Sequence, residues 1–199
     1  MKAILTGDII HSKDHKAGKW LPVLKKSLGR YGSEPLEWEI YRGDSFQLET
    51  TPEQALEAAI YIKACLKQIR HLDARIAIGL GEKDHAAEKI TESNGTAFYH
   101  SGECFENLKK QTLAINSGDE TFDTTINVML QLASLTMDNW LPAAAKIVCT
   151  VLEHPEANQK EIAALLEKSQ STISEALIRA GFDEVQKMIQ FYRIQLAQL

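Results

Sequence analysis

The chain has 199 residues, of which 44% are hydrophobic and 25% charged, and its formal net charge is -5. These values predict a globular protein of one domain or two small ones, and they exclude a global basic field that would attract nucleic acid or a membrane surface. No run of about 18 apolar residues occurs and the N-terminus lacks a long apolar segment, so neither a membrane span nor a signal peptide is expected. The three cysteines are widely spaced without zinc-binding spacing, which predicts buried thiols in a reducing cytoplasm.

The first part of the chain mixes strand and helix patterns. An apolar run over residues 2–7 predicts a strand that ends at Asp8, and apolar residues then recur at helical spacing from Leu21 to Tyr31. Residues 36–49 alternate between apolar and polar on both sides of a turn at Gly43, which predicts an antiparallel hairpin. The later elements are a helix from Pro52, a strand around 76–80, a polar loop over 82–94, a helix containing 105–108 and a strand near 113–115.

This order of elements predicts an α+β fold with helices on one face of an antiparallel sheet. The polar residues of the hairpin, Glu37, Glu39, Gln47 and Glu49, would then line the uncovered face. The sequence Asn-Ser-Gly at 116–118 breaks the pattern, and everything beyond it is helical. We therefore predict a first domain over 1–117, a connecting helix within 118–140 and a helical domain over 141–199.

Two carboxylates end predicted strands in the first domain. Asp8 follows the first apolar run and Asp44 lies at the tip of the hairpin. If the two strands are neighbours, these side chains could meet and share a divalent cation. The alternative is that both are solvated, because aspartate is common at turns and strand ends for local hydrogen-bonding reasons.

Four short segments in the same order resemble the palm of class III nucleotidyl cyclases, and of the related diguanylate cyclases. They are residues 5–12, 41–46, 74–81 and 102–110, so the resemblance covers roughly residues 1–116. It implies a ferredoxin-like palm, a homodimer, and Mg²⁺ or Mn²⁺ held by Asp8 and Asp44. The Ile9 carbonyl would join the two aspartates at the metal and nucleotide site. Four basic side chains are candidates for phosphate contacts, and the alternative for each is a solvated surface charge. The residues in that basic set are His11, Arg42, Lys109 and Lys110.

The match departs from cyclases where catalysis would need it. In those enzymes an asparagine and an arginine stabilise the transferring group, whereas the matching positions here are Glu106 and Lys110. The position of the base-selecting lysine is Ile40, and the second hairpin acid of diguanylate cyclases is replaced by Ser45. We therefore assign no catalytic residue and predict a palm that binds without turning over its ligand. An active nucleotidyl cyclase is the alternative.

The segment 159–178 resembles the helix-turn-helix of bacterial regulators. Ala163 is small where two helices would cross closely, and Ser169 is a natural N-cap for the second helix. The residues predicted to contact DNA are Ser169, Gln170, Ser171, Thr172, Ser174 and Arg179. The usual turn glycine is Glu167, and residues 141–199 hold six Lys and Arg against seven Asp and Glu, a net charge of -1. DNA affinity of one copy should therefore be weak, and a helical interaction module without DNA binding is the alternative.

The chain as a whole also resembles the SatD family of small bacterial proteins, which are believed to be regulatory. Taken together, the patterns predict a cytoplasmic DNA-binding regulator with a degenerate nucleotide-binding or dimerising palm. The other hypotheses are a nucleotidyl cyclase and a scaffold that neither catalyses nor binds DNA.

Overall fold

The computed structural model describes residues 1–199, and it confirms the predicted α+β class. Five strands form one sheet in the order β2-β3-β1-β4-β5. The strands are β1 (Lys2–Ile10), β2 (Trp38–Tyr41), β3 (Ser45–Thr50), β4 (Asp73–Gly81) and β5 (Leu113–Asn116). The helices are α1 (Ala17–Leu28), α2 (Pro52–Leu66), α3 (Thr96–Asn107), α4 (Glu120–Met137), α5 (Pro142–Glu153), α6 (Gln159–Leu165), α7 (Gln170–Arg179) and α8 (Phe182–Leu196).

The sheet is mixed, whereas the sequence pattern predicted an antiparallel one. β1 lies at its centre and pairs antiparallel with both β3 and β4. β5 pairs parallel with β4, with Ile76 opposite Leu113. The reason is the connection between them, because α3 carries the chain back along the sheet before β5 begins, and a helical crossover makes successive strands parallel.

Helices cover both faces of the sheet, so the prediction of helices on one face is wrong for α3. Leu5 belongs to the main hydrophobic cluster together with α1 and α2. Its neighbour Ile4, which points to the other face, packs against Ala97 of α3. On that same face the Thr6 and Ser101 hydroxyls are 3.0 Å apart. The predicted uncovered face is therefore partly occupied, and Glu49 on it is buried.

One hydrophobic cluster of 48 buried residues runs through the whole chain, from Ala3 of β1 to Leu196 of α8. The last helix returns to the start of α2, where the Tyr192 hydroxyl donates a 2.7 Å hydrogen bond to the Pro52 carbonyl. The Arg193 guanidinium lies 2.9 Å from a Glu57 carboxylate oxygen of the same helix. The helical region thus completes the core of the sheet region. The predicted domain boundaries stay a prediction.

A network of charges is buried where α2, the start of β4 and the end of α4 meet. Lys63 is fully buried, and its ammonium lies 2.9 Å from Asp73 and 3.1 Å from Asp138. Lys67 contacts the second oxygen of Asp73 at 2.9 Å and donates to the Asp138 carbonyl at 2.7 Å. Each buried charge has partners of opposite charge and hydrogen bonds, which is the condition for burying charges without a prohibitive cost.

Glu49 is a second buried carboxylate, and its environment predicts a pH-dependent contribution to stability. Burial acts to raise the pKa of Glu49, but hydrogen bonds from Lys83 at 2.6 Å and Lys2 at 2.9 Å outweigh it and lower the pKa. Because the pKa of Glu49 is lower in the folded state, its ionised side chain stabilises the protein at pH values above the unfolded glutamate pKa of about 4.3. That stabilisation is lost as the pH falls through the folded-state value.

We expect Glu49→Gln to lower the free energy of unfolding by about 1.5–3 kcal/mol at pH 7, because the charge-assisted hydrogen bonds are lost. The difference from wild type should shrink as the pH approaches 3. Urea unfolding at both pH values measures this, with Glu88→Gln as the control because Glu88 is exposed and forms no ion pair. A difference that does not change with pH would contradict the assignment.

Candidate functional site

The predicted metal ligand Asp8 is already neutralised by an arginine. It lies in register between Ser45 of β3 and Arg75 of β4, so all three side chains share one face of the sheet. The Arg75 Nε donates to one Asp8 oxygen at 3.0 Å, and its Nη2 contacts the other. These hydrogen bonds raise the pKa of Arg75. Arg75 also lies 5.5 Å from the centre of the Phe105 ring, which fixes the guanidinium further.

The second predicted ligand, Asp44, has different partners. The Ser12 hydroxyl donates to its carboxylate at 2.5 Å, and the Asp44 carbonyl accepts from the Ile9 amide at 3.1 Å. Asp44 therefore stands opposite Ile9, one residue beyond the level of Asp8. No group of three or more His, Cys, Asp or Glu side chains is placed to hold a metal ion. Asp8 is paired with Arg75 in this arrangement, so binding of Mg²⁺ or Mn²⁺ by Asp8 and Asp44 stays a prediction that requires Arg75 to release Asp8.

The predicted nucleotide-binding residues gather at one end of the sheet. β1 ends beside the hairpin turn and the start of β4, which brings Ile9, His11 and Arg42 to the same edge. Lys109 and Lys110 precede β5, which starts at that same end because it runs parallel to β4. Three strand spacings of about 4.8 Å nevertheless separate the hairpin from β5, so Arg42 and Lys110 stand on opposite sides of this end.

A cavity of about 400 Å³ opens at this end, between the last residues of β1 and the segment before α5. Its basic lining residues are His11, Lys67, Arg70 and His71. Lys67 is committed to Asp73, whereas Arg70 and His71 are exposed and take part in no ion pair. Sequence reasoning missed Arg70 and His71. Their charge was visible, but only the pairing of β4 with β1 shows that the loop before β4 lies beside His11.

The predicted helix pair near the C-terminus is confirmed as two separate helices. Asn158 caps α6 in a capping box with Glu161. The chain then turns at Glu167, whose φ of 51° is left-handed, in agreement with the strained backbone expected where a turn glycine is missing. Ser169 caps α7 as predicted, because its hydroxyl accepts a 3.1 Å hydrogen bond from the Thr172 amide.

The outer face of α7 presents most of the predicted DNA-contacting side chains. Its inner residues Ile173, Ala176 and Leu177 are buried in the core. The exposed ones are Ser169, Gln170, Ser171, Thr172 and Arg179, with Ser174 half-buried. Arg179 lies 3.6 Å from Glu175, and Ile178 between them is 73% exposed. The face is therefore mostly polar and accessible, but it has no net positive charge, because Arg179 is its one cation and lies beside Glu175.

Removing the cap of α7 should destabilise the protein modestly. We expect Ser169→Ala to lower the free energy of unfolding by about 1 kcal/mol, since it removes the hydrogen bond to the first turn. Gln170→Ala, one residue further on, leaves the cap in place and should change stability little. Thermal and urea unfolding of both variants measure the difference, and equal stabilities would show that the cap contributes nothing.

Comparison with protein-family models, curated proteins and solved structures finds no match to this chain. None of its helices is both long and apolar enough to cross a membrane.

Proposed function

We propose that this chain is a DNA-binding transcriptional regulator whose N-terminal part is a degenerate cyclase-like palm that binds a nucleotide or supports dimerisation. The observation that carries the proposal is the geometry of α6 and α7. Two short capped helices flank a left-handed turn, and the second helix exposes the polar side chains of its first turn. A helix-turn-helix has the same order of parts, a first helix, a turn and a recognition helix whose N-terminal residues contact bases.

The sheet region supports the palm assignment. Four of its strands follow the order β2-β3-β1-β4, with α1 and α2 packed together on one face. That order is the one expected of a ferredoxin-like unit. β5 and α3 extend this unit, and the hairpin with Asp44 stands beside the end of β1, as the cyclase resemblance requires.

The same region argues against turnover. The positions of the stabilising amide and arginine are Glu106 and Lys110, and Asp8 is held by Arg75 rather than left free for a metal. Incubation with ATP or GTP and manganese, followed by mass spectrometry, should yield no cyclic nucleotide. A cyclic product that disappears in Asp44→Asn would replace the regulator proposal with the enzyme.

Gel-shift titrations of the full-length protein against DNA fragments from its own genomic neighbourhood test DNA binding. We expect a shift that weakens as salt increases, because phosphate neutralisation supplies most of the affinity. The double change Gln170→Ala and Thr172→Ala should reduce the preference for the bound fragment over unrelated DNA. Arg179→Ala should weaken binding to all sequences and lower the salt slope by about one.

Lys89→Ala is the control for lost positive charge, because Lys89 is exposed in the loop before α3 and far along the chain from α7. It should leave both the preference and the salt slope unchanged. If no salt-sensitive shift appears at micromolar protein, with or without nucleotide, the scaffold hypothesis replaces the regulator.

A further inference from the structure

The helix α4 has an apolar face that nothing in the chain covers. Its inner face is buried, with Ile126 and Leu130 fully inaccessible. On its outer face Val128 is 51%, Leu132 63% and Leu135 71% exposed. No charged residue occurs between Thr124 and Met137, so this outer face has no charge over most of its length. Large exposed side chains of this kind on one helix face mark an interaction surface.

The spacing of the outer face is that of a coiled coil. Five of the exposed residues of α4 follow one another in steps of four and three, and they are Thr121, Thr125, Val128, Leu132 and Leu135. A repeat of 3.5 residues keeps one stripe turned toward a second helix, which receives each side chain in a hole between its own. We call these five residues the α4 seam.

A groove runs beside the α4 seam and supplies room for a partner's side chains. It has a volume of about 420 Å³ and lies between α4 and the start of α8. Its apolar lining residues are Met129, Leu132, Ala133, Val185 and Met188. A stable interface buries about 800 Å² on each partner, and three exposed apolar side chains cover less than this. The seam and the groove together form one continuous surface.

We propose that the α4 seam and its groove form the interface of a homodimer, in which α4 packs against α4 of a second copy of this chain. An identical copy fits because the same surface carries both the protruding side chains of the α4 seam and a groove that can receive them. The α4 seam carries no charge, so two identical copies bring no like charges together along it. Glu184, the one charged residue that lines the groove, lies 3.9 Å from Lys187. The proposal does not rest on DNA binding, although it would place two copies of α7 on one particle.

Light scattering coupled to gel filtration tests the dimer on the full chain, whose protomer mass is 22.2 kDa. Wild type should elute at twice that mass. The double change Leu132→Lys and Leu135→Lys should raise the dimer dissociation constant at least about 100-fold, because it buries like charges at the centre of the interface. Since both side chains are exposed, circular dichroism and the melting temperature of the monomer should stay close to wild type.

Two further variants make the result decisive. Leu36→Lys alters an exposed leucine outside α4 and should remain dimeric. The double change Leu132→Glu and Leu135→Glu should be monomeric alone but should pair with the lysine variant when the two are mixed. A wild-type monomer at high micromolar concentration, or a dimer that the lysine changes leave intact, would overturn the proposal.

The thiols of Cys65 in α2 and Cys149 in α5 are 3.0 Å apart, although 84 positions separate them in the chain. A disulfide needs a sulfur–sulfur distance of about 2.05 Å, so an approach of about 1 Å would join the helices. A cavity of about 230 Å³ reaches both thiols and is also lined by Lys26 and Lys146.

We infer that Cys65 and Cys149 form a reversible disulfide when the protein meets a hydroperoxide. The Cys149 thiolate attacks the terminal oxygen, the O–O bond breaks, and a sulfenic acid and water or an alcohol form. The Cys65 thiol then attacks that sulfur, a disulfide forms, and the sulfenic hydroxyl leaves as water with the Cys65 proton. The hydrogen bond between the thiols lowers the pKa of Cys149, which suits it for the first step. The bond would tie α2 to α5.

Thiol counting and peptide mass mapping after hydrogen peroxide treatment test this step. Two of the three thiols should disappear together, in a peptide pair containing residues 65 and 149, and dithiothreitol should restore them. Cys104 is the internal control, since burial raises its pKa to about 12. Cys149→Ser should leave Cys65 reduced. Oxidation that spares both residues, or that produces only separate sulfinic acids, would overturn the inference.

Discussion

Asp73→Ala should lower the free energy of unfolding by about 3–5 kcal/mol, the range found when one partner of a buried ion pair is removed. Asp73 gives one carboxylate oxygen to Lys63 and the other to Lys67. Its removal leaves Lys63 fully buried with Asp138 as its only carboxylate partner. Burying an ammonium group without sufficient partners costs several kcal/mol, whereas a surface ion pair contributes only about 0–1 kcal/mol.

Urea unfolding monitored by tryptophan fluorescence measures this loss. Asp84→Ala is the matched control, because Asp84 is exposed and its side chain forms no ion pair. It should change stability by less than about 0.5 kcal/mol. A loss below about 1 kcal/mol for Asp73→Ala would mean that water reaches Lys63 and that the network contributes little.

The second large effect is expected from a single methyl group at Gly79 of β4. A Cβ atom there would lie 2.2 Å from the Ala97 carbonyl oxygen and 2.2 Å from the Ser101 amide nitrogen. Both are backbone atoms of α3, so no side-chain rotation can relieve the collision. Gly79→Ala should therefore push α3 away from the sheet. We expect it to lower the free energy of unfolding by about 1–3 kcal/mol, the range for overpacked cores.

Gly102→Ala is the matched control, because Gly102 lies in α3, the helix against which Gly79 packs. A Cβ atom at Gly102 would meet nothing within 4 Å. Because alanine is the better helix former, this change should stabilise the protein by about 0.5–1 kcal/mol. Urea unfolding compares the two variants. The reactivity of Cys104 in α3 gives a second measurement, which should rise only in Gly79→Ala. Equal stabilities would show that α3 can shift without cost.

Local patterns were sufficient to predict most of the elements. The strand near 113–115, the connecting helix and the Ser169 cap are confirmed because hydrophobic period and capping act over a few residues. The position of α3 was missed, although β4 contained a signal for it. Ile76, Ile78 and Leu80 alternate with Ala77, Gly79 and Gly81, so one face of the strand has almost no side chains. That face leaves room for a helix to approach closely.

The candidate site was less predictable because its contacts join distant parts of the chain. Arg75, the partner of Asp8, is 67 positions away. Lys63 lies in a helical pattern where a lysine normally reaches solvent, and only the packing of α4 shows that it is enclosed. Such pairings depend on which strands and helices become neighbours, and no local pattern specifies that.

The return of α8 to α2 has a consequence for synthesis of the protein. The sheet and α2 leave the ribosome well before α8, because Tyr192, which is fully buried against them, lies 140 positions after Pro52. A nascent chain must therefore keep the apolar side of α2 open until α8 has been translated, a period in which such surfaces recruit chaperones or aggregate. A stop codon before Phe182 would release a chain with that surface permanently uncovered, so truncated products should be degraded rather than accumulate as a folded N-terminal fragment.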